Sequence, residues 1–446
     1  MKSKRVIATM LTVVMAAGLL AGCGGSKDSK SDEGSVYFLN FKPEVAEVWE
    51  TIAKEYTEET GIEVKVQTAA SGTYEQTLKS EMAKKDAPTL FQINGQIGYD
   101  NWSKYCADWS DSEIYSHLVN KELAVTGEDG GIYGLPYVVE GYGIIYNDEI
   151  MQKYFALSDK AVDISSAEEI KDFDTLKAVA EDMTAKKDEL GIEGVFASTS
   201  LKSGEDWRWQ THTMNVPVYY EYQDDDVQDK DNLEFTYSDN YKNIFDLYLN
   251  NSTADPKLLG AKSVDDSMAE FALGQAAMVQ NGNWAWNQIN GIDGNIVTEN
   301  NIKYLPIYTG VDGEEEQGLC IGTEGFWCVN SQADEADQKA TEDFVEWVFT
   351  SDAGKNHVVN DLGFIAPFDS FSETEVPNDP LAKLVMQYMN DETITNPGWV
   401  YTTFPSQTFK DDFGAMLLEY AQGTKEWSDV KEGVVEEWAS EKAALQ

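Results

Sequence analysis

Alternating hydrophobic and polar residues mark three short strands near the beginning of the chain, and helical patterns separate them. The predicted strands are Val36–Phe41, the run IEVKVQT at 62–68, and Pro88–Asn94. Apolar residues recur at three- and four-residue steps after the first strand, and a second helix is predicted over Tyr74–Lys84. This order predicts an α/β layer with a mostly parallel sheet.

Polar residues follow two of these strands. They are Asn40–Lys42 after the first strand and Asn94–Gln96 after the third. Ligands of open α/β sheets bind outside the carboxyl ends of the strands. Both segments are therefore candidates for ligand contact.

A longer apolar run extends from Leu135 to Tyr146 and contains Gly141 and Gly143. Glycines inside a strand often mark a bend or a close backbone approach. We interpret this run as a strand that crosses between two parts of the protein. Further along, Trp207 and Trp209 are predicted to lie in a polar loop.

The stretch AMVQNGNWAWNQI places Trp284 and Trp286 directly after an Asn-Gly break. Tryptophan is large, rarely fully buried and carries a polar N–H. Two indoles after a glycine turn are either packing residues or a surface offered to a ligand.

The N-terminus has the pattern of an export signal. Basic residues precede an apolar stretch from Val6 to Leu20, which is too short to span a bilayer comfortably. The following LAGC, ending at Cys23, resembles a bacterial lipobox, in which the cysteine is lipidated; the alternative is an ordinary cleaved signal with a chance cysteine. We predict a lipoprotein signal peptide over 1–22 and a lipid-anchored flexible tether over 23–34, because GGSKDSKSDEG has no apolar face.

The composition excludes several classes of function. A net charge of −46 argues against a nucleic-acid partner and against binding along an anionic membrane, and it is typical of a solvated acidic surface. Beyond Cys23 the chain has Cys106, Cys320 and Cys328, an odd number without zinc-site spacing. A Cys320–Cys328 disulfide and buried thiols both remain open.

Several segments together resemble one family in matching order. They are LPYVVEGYGIIYN, FALGQAAMVQNGNWAW and FVEWVFTSDAGKNHVVNDLGFIAP, together with the lipobox and the opening strand–helix unit. This set resembles the extracellular solute-binding proteins of bacterial ABC importers, in the carbohydrate-binding branch that includes maltodextrin-binding protein. The resemblance implies an α/β, two-lobed periplasmic-binding-protein-like (type II) fold, with hinge crossovers and a cleft between the lobes.

Mapped onto this chain, the family's fold implies a first lobe of residues 35–139 plus 322–361 and a second lobe of 140–318 plus 363–446. The crossings would fall near Val139–Tyr142, Gly318–Ile321 and Leu362–Phe364. These positions lie in the glycine-marked stretches of the sequence.

The resemblance also implies the residues of the site. Trp284 would stack on the hydrocarbon face of a sugar ring, whereas Trp286 is expected in the core. The other residues implied to bind the ligand are Trp207, Trp399, Tyr142, Glu140, Asn40, Lys42, Asn94, Glu324 and Asn283. The alternative interpretations are that the aromatic residues serve in packing, that Lys42 is a surface charge and that Glu324 is a carboxylate in a turn.

One loop departs from the family's maltodextrin binders. These place an aromatic and charged residues after the third strand, whereas this chain has the small polar set INGQIGY at 93–99. Maltodextrin itself is therefore in doubt as the ligand.

The implied mechanism is hinge closure around a mono- or oligosaccharide, followed by delivery to the transmembrane subunits of an ABC permease. We expect an extracytoplasmic, lipid-anchored monomer that needs no cofactor, metal or nucleic acid. Two alternatives stay open: a solute-binding protein for a peptide or polyamine, and a secreted glycoside-acting enzyme. The second is disfavoured because the three histidines are scattered and no nucleophile elbow or P-loop is present.

Overall fold

A computed structural model describes residues 33–70 and 72–445. The predicted signal peptide, Cys23 and most of the predicted tether lie outside these residues. The strands are β1 Val36–Asn40, β2 Val64–Thr68, β3 Leu90–Asn94, β4 Val125–Thr126, β5 Ile132–Pro136, β6 Glu140–Asn147, β7 Gly194–Phe196, β8 Ala276–Gly282, β9 Ile302–Leu305, β10 Cys320–Gly322 and β11 Gly325–Val329.

Helices connect these strands and cover both sheets. The α-helices are α1 Ala46–Thr60, α2 Tyr74–Met82, α3 Gly95–Trp102, α4 Glu113–Ser116, α5 Asp148–Phe155, α6 Phe173–Ala185, α7 Lys187–Leu190, α8 Met214–Asp225, α9 Ser238–Asn250, α10 Val264–Ala272, α11 Ala285–Asn290, α12 Glu335–Thr350, α13 Asp352–His357, α14 Pro380–Met389, α15 Gln407–Ala421 and α16 Trp427–Leu445. Short 3₁₀ helices occur at Pro43–Val45, Ser103–Tyr105, Lys121–Leu123, Ala167–Glu169, Pro256–Ala261, Glu314–Glu316 and Val400–Thr403, and π-helical turns occur at Arg208–Thr213 and Val358–Leu362.

The strands form two sheets, one in each lobe. The first sheet has the order β2-β1-β3-β11-β5-β4, and the second has the order β10-β6-β8-β7 with β9 also paired to β6. Strand β1 is parallel to β2 and β3, as the sequence predicts, whereas β11 is antiparallel to both of its neighbours. The fold is therefore the two-lobed α/β type, with a cleft between the lobes.

The first helix, α1, has the apolar face and the terminal glycine that the sequence predicts. Trp49, Ile52 and Tyr56 lie on one face of α1 and are buried against the first sheet. The helix ends at Gly61, whose φ of 81° is left-handed and costs glycine little. The N–H of Gly61 donates to the carbonyl of Thr57, which closes the last turn.

The chain passes between the sheets at two adjacent places. Strand β5 leads to β6, and β10 leads to β11 with Thr323 and Glu324 between them. Gly322 is paired with Glu140 across β10 and β6, so the two connections run side by side. A hinge of this kind permits rotation of one lobe against the other.

A third passage lies beyond Ile365, which forms an antiparallel bridge with Val139. Phe364 and Phe368 pack into the core of the first lobe, and α14 then packs against β6 and β9 of the second. The boundary drawn from the sequence assigns these two phenylalanines to the second lobe, although their side chains pack in the first. The lobe boundaries as a whole stay a prediction.

The prediction of a polar loop around Trp207 and Trp209 is wrong. Trp207 precedes the π-helical turn that continues into α8, and Trp209 is buried against Phe245 and Tyr248 with ring centroids 5.2 and 4.9 Å away. Burial of an aromatic surface here outweighs the polar character of the local sequence.

The three described cysteines are buried free thiols. Cys320 lies in β10 of the second sheet and Cys328 in β11 of the first. The structure therefore favours the buried-thiol alternative over a Cys320–Cys328 bridge. Within the described residues, no helix combines the length and apolar character needed to cross a bilayer.

Trp327 is the centre of the first lobe's core and offers a test of this packing. It is 1 % exposed, its ring lies 4.5 Å from Tyr137 in a stacked arrangement, and Phe38 and Trp49 contact it edge-on at 5.4 and 5.5 Å. We expect Trp327→Ala to lower the free energy of unfolding by ~3–5 kcal/mol in urea denaturation. The control Val119→Ala, at a residue 71 % exposed, should change it by less than about 0.5 kcal/mol. Equal effects would contradict this assignment of the core.

Candidate functional site

The candidate site lies where the carboxyl ends of strands from both lobes meet. The loops after β1 and β3 face it from the first lobe, and the turn after β8 faces it from the second. The lobes touch along this cleft. The turn at Pro43–Val45 contacts α11, and α3 contacts the turn at Val400–Thr403. The structure is therefore a closed form.

Lys42 is held in the cleft by a tight turn. The Asn40 side chain accepts the N–H of Lys42 at 3.0 Å and donates to the Lys42 carbonyl at 2.8 Å and to Thr68 at 3.1 Å. Asn40 is 2 % exposed, so its amide shapes the loop. Direct contact between Asn40 and a ligand stays a prediction.

The ammonium group of Lys42 pairs with a carboxylate of the hinge strand. Its Nζ lies 2.8 Å from Oε1 of Glu140 and 3.9 Å from Oε1 of Glu44. Burial acts to lower the pKa of Lys42, but Glu140 and Glu44 outweigh it and raise that pKa above its ordinary value. The buried ammonium therefore stays charged.

Further ionisable groups surround this pair. Glu324 lies between β10 and β11, and burial raises its pKa, with Lys410 opposing the shift and Glu140 adding to it. Burial lowers the pKa of Lys410 on α15, against the attraction of Glu324. Burial also raises the pKa of Glu44. The cleft thus brings together ammonium and carboxylate groups with little water around them.

Trp284 presents its indole to these charges. It is partly buried one residue before α11, and Nζ of Lys42 lies 5.8 Å from its ring centroid. The ring folds back over Gly282, where a Cβ would sit 2.2 Å from Cη2 of the indole. The glycine that precedes the two tryptophans is thus required by the close approach of Trp284. Trp286 is 8 % exposed in an apolar cluster, as predicted for a core residue.

Asn283 fixes the turn that carries Trp284. Its side-chain oxygen accepts the N–H of Gly141 at 2.9 Å, and its own N–H donates to the Gly141 carbonyl at 3.0 Å. These bonds tie the turn to β6 beside Glu140. The position of Trp284 is therefore coupled to the hinge strand.

Aromatic rings continue from Trp284 deeper into the second lobe. His212 lies at the centre, 5.5 Å from Trp284, 4.9 Å from Trp207 and 4.2 Å from Tyr142, on which it stacks. Trp399 lies 5.5 Å from Tyr142 and rests on Gly322, where a Cβ would approach it to 2.6 Å. We call Trp284, Trp207, His212, Tyr142, Trp399 and Tyr401 the aromatic cluster.

The members of the aromatic cluster differ in exposure. Trp284 and Trp207 are partly buried, whereas Trp399 is 8 % exposed and Tyr142 is fully buried. Tyr142 therefore lies behind His212 in the closed form. In the part of the chain that the structure describes, His212 Nδ1 and Trp399 Nε1 are buried without a hydrogen-bond partner. Such groups are costly unless something pairs with them.

Asn94 ends β3, next to a contact between the two lobes. Its side-chain oxygen accepts from Gln92 at 3.1 Å. The next residue, Gly95, lies against Thr402 of the other lobe, with 3.4 Å from its Cβ position to that side chain. Of the predicted residues, Lys42, Glu140, Glu324, Trp284, Trp207, Trp399 and Tyr142 thus come together. Asn40 and Asn283 bond the backbone of neighbouring turns, Asn94 bonds Gln92 of its own strand, and ligand contact by these three stays a prediction.

Three residues of the site were not found from the sequence. His212 and Lys410 lie within helical segments. Trp207, directly before the segment of His212, was a nearby signal, but nothing in the local pattern pointed to the imidazole or to Lys410. Tyr401 is two residues after Trp399, in a stretch that was already a candidate, and is 2 % exposed. Burial lowers the pKa of His212 well below its ordinary value, so this imidazole is neutral. Among the described residues, no group of three or more His, Cys, Asp or Glu side chains is arranged to hold a metal ion.

The sequence profile of a family described as bacterial extracellular solute-binding proteins matches residues 51–383. The chain belongs to this family. No curated protein sequence matches the solute-binding protein.

Solved structures show the same fold at low sequence identity. A chitin oligosaccharide binding protein is 18% identical, with a TM-score of 0.69 over 93% of this chain and 100% of its own. The solute-binding protein RafE in complex with raffinose is 16% identical, with a TM-score of 0.69 over 92% and 99%. A sugar transporter protein from Bacillus licheniformis in complex with stachyose is 16% identical, with a TM-score of 0.64 over 92% and 100%.

A glycine contact between the lobes provides a test of closure. Gly72 in the first lobe has a φ of 68°, and a Cβ there would lie 2.7 Å from the carbonyl oxygen of Gly204 in the second. Asparagine tolerates this backbone conformation, so Gly72→Asn adds bulk with modest strain. We expect it to prevent full closure and to raise the radius of gyration in small-angle X-ray scattering.

Gly204→Asn is the matched control, because Gly204 has a similar φ of 81° but open space around its Cβ position. It should scatter like the unaltered protein. If both variants keep the closed dimensions, the two glycines do not meet in solution.

Proposed function

We propose that this solute-binding protein is the lipid-anchored substrate-binding component of an ABC importer, and that it captures an oligosaccharide in the cleft between its lobes. The observation that carries the proposal is the aromatic cluster beside the Lys42–Glu140 ion pair. Flat indole faces and charged hydrogen-bonding groups occur together at the junction of the lobes. These are the two kinds of surface that a sugar ring needs.

A pyranose ring has a face of C–H groups and a rim of hydroxyls. An indole matches the face, while carboxylate and ammonium groups match the rim. We infer that Trp284 stacks on the sugar, with Trp207 and Trp399 as further platforms. Glu140, Glu324 and Lys42 would bond its hydroxyls.

The rings of the aromatic cluster contact one another in the closed form. Trp284 and Trp207 are 6.1 Å apart and tilted by 49°, which leaves no room for a sugar between them. Both rings belong to the second lobe, so a sugar would lie across them. It would enter while the lobes are apart and be covered by the first lobe as they close. Its contacts with both lobes would stabilise a ligand-bound closed form through differential affinity.

The solved relatives support this ligand class. Those described above bind chitin oligosaccharide, raffinose or stachyose by their descriptions. All are oligosaccharides, and none of them is a maltodextrin. A short oligosaccharide is therefore the ligand class that we propose for this chain.

Release of the sugar unaltered distinguishes this function from that of an enzyme. The cleft contains the carboxylates Glu140 and Glu324, and a pair of carboxylates is also what a glycosidase uses. Glu140 is committed to Lys42 at 2.8 Å, which leaves it poorly placed to exchange protons with a substrate. We propose binding without chemistry, followed by delivery of the sugar by a monomeric protein to the permease subunits.

We expect Trp284→Ala to weaken oligosaccharide binding by more than about 1 kcal/mol, or at least about fivefold in Kd, because it removes a stacking face. Calorimetric titration with raffinose, stachyose and chitin oligosaccharides measures the effect. The matched control is Trp347→Ala, since Trp347 is a partly buried indole on α12 whose N–H donates to Glu59, away from the cleft.

The same titrations decide between the alternatives. Heat from a polyamine or a peptide, with none from any sugar, would replace the carbohydrate assignment. Shortened sugars after incubation would indicate an enzyme. Unchanged sugar affinity in Trp284→Ala would remove this residue from the site.

The anchor is tested at Cys23. We expect Cys23→Ala to move the protein from the membrane fraction to the soluble fraction, because two acyl chains are needed for stable anchoring. Mass spectrometry of the N-terminal peptide should show the lipid on the unaltered chain. Ser26→Ala is the control and should stay with the membrane; a soluble unaltered protein would contradict the lipobox reading.

A further inference from the structure

Arg208 is the second of two arginines in the chain, the other being Arg5 near the N-terminus. Its guanidinium is buried in the second lobe, and the whole residue is 3 % exposed. Nη1 donates to the Ser200 hydroxyl at 2.8 Å. Within residues 33–70 and 72–445, Nε and Nη2 have no hydrogen-bond partner.

The guanidinium also lacks a paired carboxylate in the described part of the chain. Glu205 and Asp265 act on it through their charge, without a hydrogen bond to it. Glu270, another buried carboxylate of this lobe, accepts the N–H of Ser198 and pairs with Lys262 at 2.8 Å. Burial lowers the pKa of Arg208 to about 9, which still leaves it cationic at neutral pH. A buried charge without a counter-charge is strongly destabilising.

A small cavity adjoins this group. It measures about 20 Å³, enough for roughly one water molecule or one halide ion. Its lining includes the polar side chains of Arg208, Ser198, Thr199, Ser200, Ser267 and Gln280, together with the rings of Trp209 and Tyr248. The Thr199 hydroxyl is buried without a partner among the described residues, and the Ser200 hydroxyl accepts from Arg208 and so keeps its own proton to donate.

We propose that this cavity binds a single small monovalent anion, chloride under physiological conditions, held by Nε and Nη2 of Arg208 and by the hydroxyls of Thr199 and Ser200. A water molecule could accept the same hydrogen bonds but would leave the guanidinium charge uncompensated. The lining residues Ser198–Ser200 follow the carboxyl end of β7, and Arg208 begins the π-helical turn. The anion joins these two segments.

The site lies directly behind the ligand cleft. The guanidinium carbon of Arg208 is 4.5 Å from the ring centroid of Trp207, which in turn contacts Trp284. An anion that fixes the guanidinium therefore also fixes the back of the Trp207 indole. The proposal concerns the second lobe alone and holds whatever ligand the cleft takes.

The test uses the full chain in sodium gluconate, with the gluconate replaced stepwise by chloride or bromide at constant ionic strength. We expect a saturable rise of several degrees in the midpoint of thermal unfolding, because a ligand that binds the folded form stabilises it. Crystals soaked in bromide should show one anomalous peak beside Arg208. Arg208→Met should lose the chloride dependence, whereas Lys84→Met, at an exposed lysine, should keep it.

Thr199→Val keeps the guanidinium and should weaken the apparent chloride affinity several-fold, so the proposal remains testable if Arg208→Met fails to fold. A cavity that holds only water in bromide-soaked crystals would overturn the proposal. So would a chloride response that is equal in Arg208→Met and the unaltered protein.

Discussion

The ammonium group of Lys42 lies in a buried position that it can occupy only if carboxylates accompany it. Glu44, on its own loop, and Glu140, on the first strand of the second lobe, supply them. An ion taken out of water is costly, and its partner must be close to repay the cost. The arrangement therefore couples the loop after β1 to the hinge strand and holds the two lobes against each other.

The aromatic cluster extends this coupling into the second lobe. Gly141 is hydrogen-bonded to Asn283, which holds the turn of Trp284, and Tyr142 of the same strand stacks on His212. One strand thus positions the carboxylate that meets Lys42 and the rings that lie beside it. A ligand that contacts these rings would act on the same strand that links the lobes, and binding would in this way be connected to lobe closure.

The opening of the fold could be predicted because its signals are local. Alternation gave β1 and β2, the spacing of apolar residues gave α1, and Gly61 ended that helix. The site around Trp284 could be predicted from the Asn-Gly break before it. Gly282 is needed there because the indole of Trp284 packs directly against it. Lys410 and His212 could not be predicted, because each reaches the site through packing between segments that are far apart in sequence. The prediction of a polar loop at Trp209 failed for a related reason. Its packing partners Phe245 and Tyr248 lie more than thirty residues away, and no nearby sequence pattern indicates these contacts.

The position of β11 has a consequence for how the protein is made. This strand fills the gap between β3 and β5 in the first sheet, yet it comes at Gly325–Val329, after most of the second lobe. The first lobe therefore lacks its central strand until about three quarters of the polypeptide has been synthesised. Non-local pairing of this kind delays folding. The family to which the chain belongs is extracellular, and slow folding gives such a protein more time to cross a membrane before it takes its final shape.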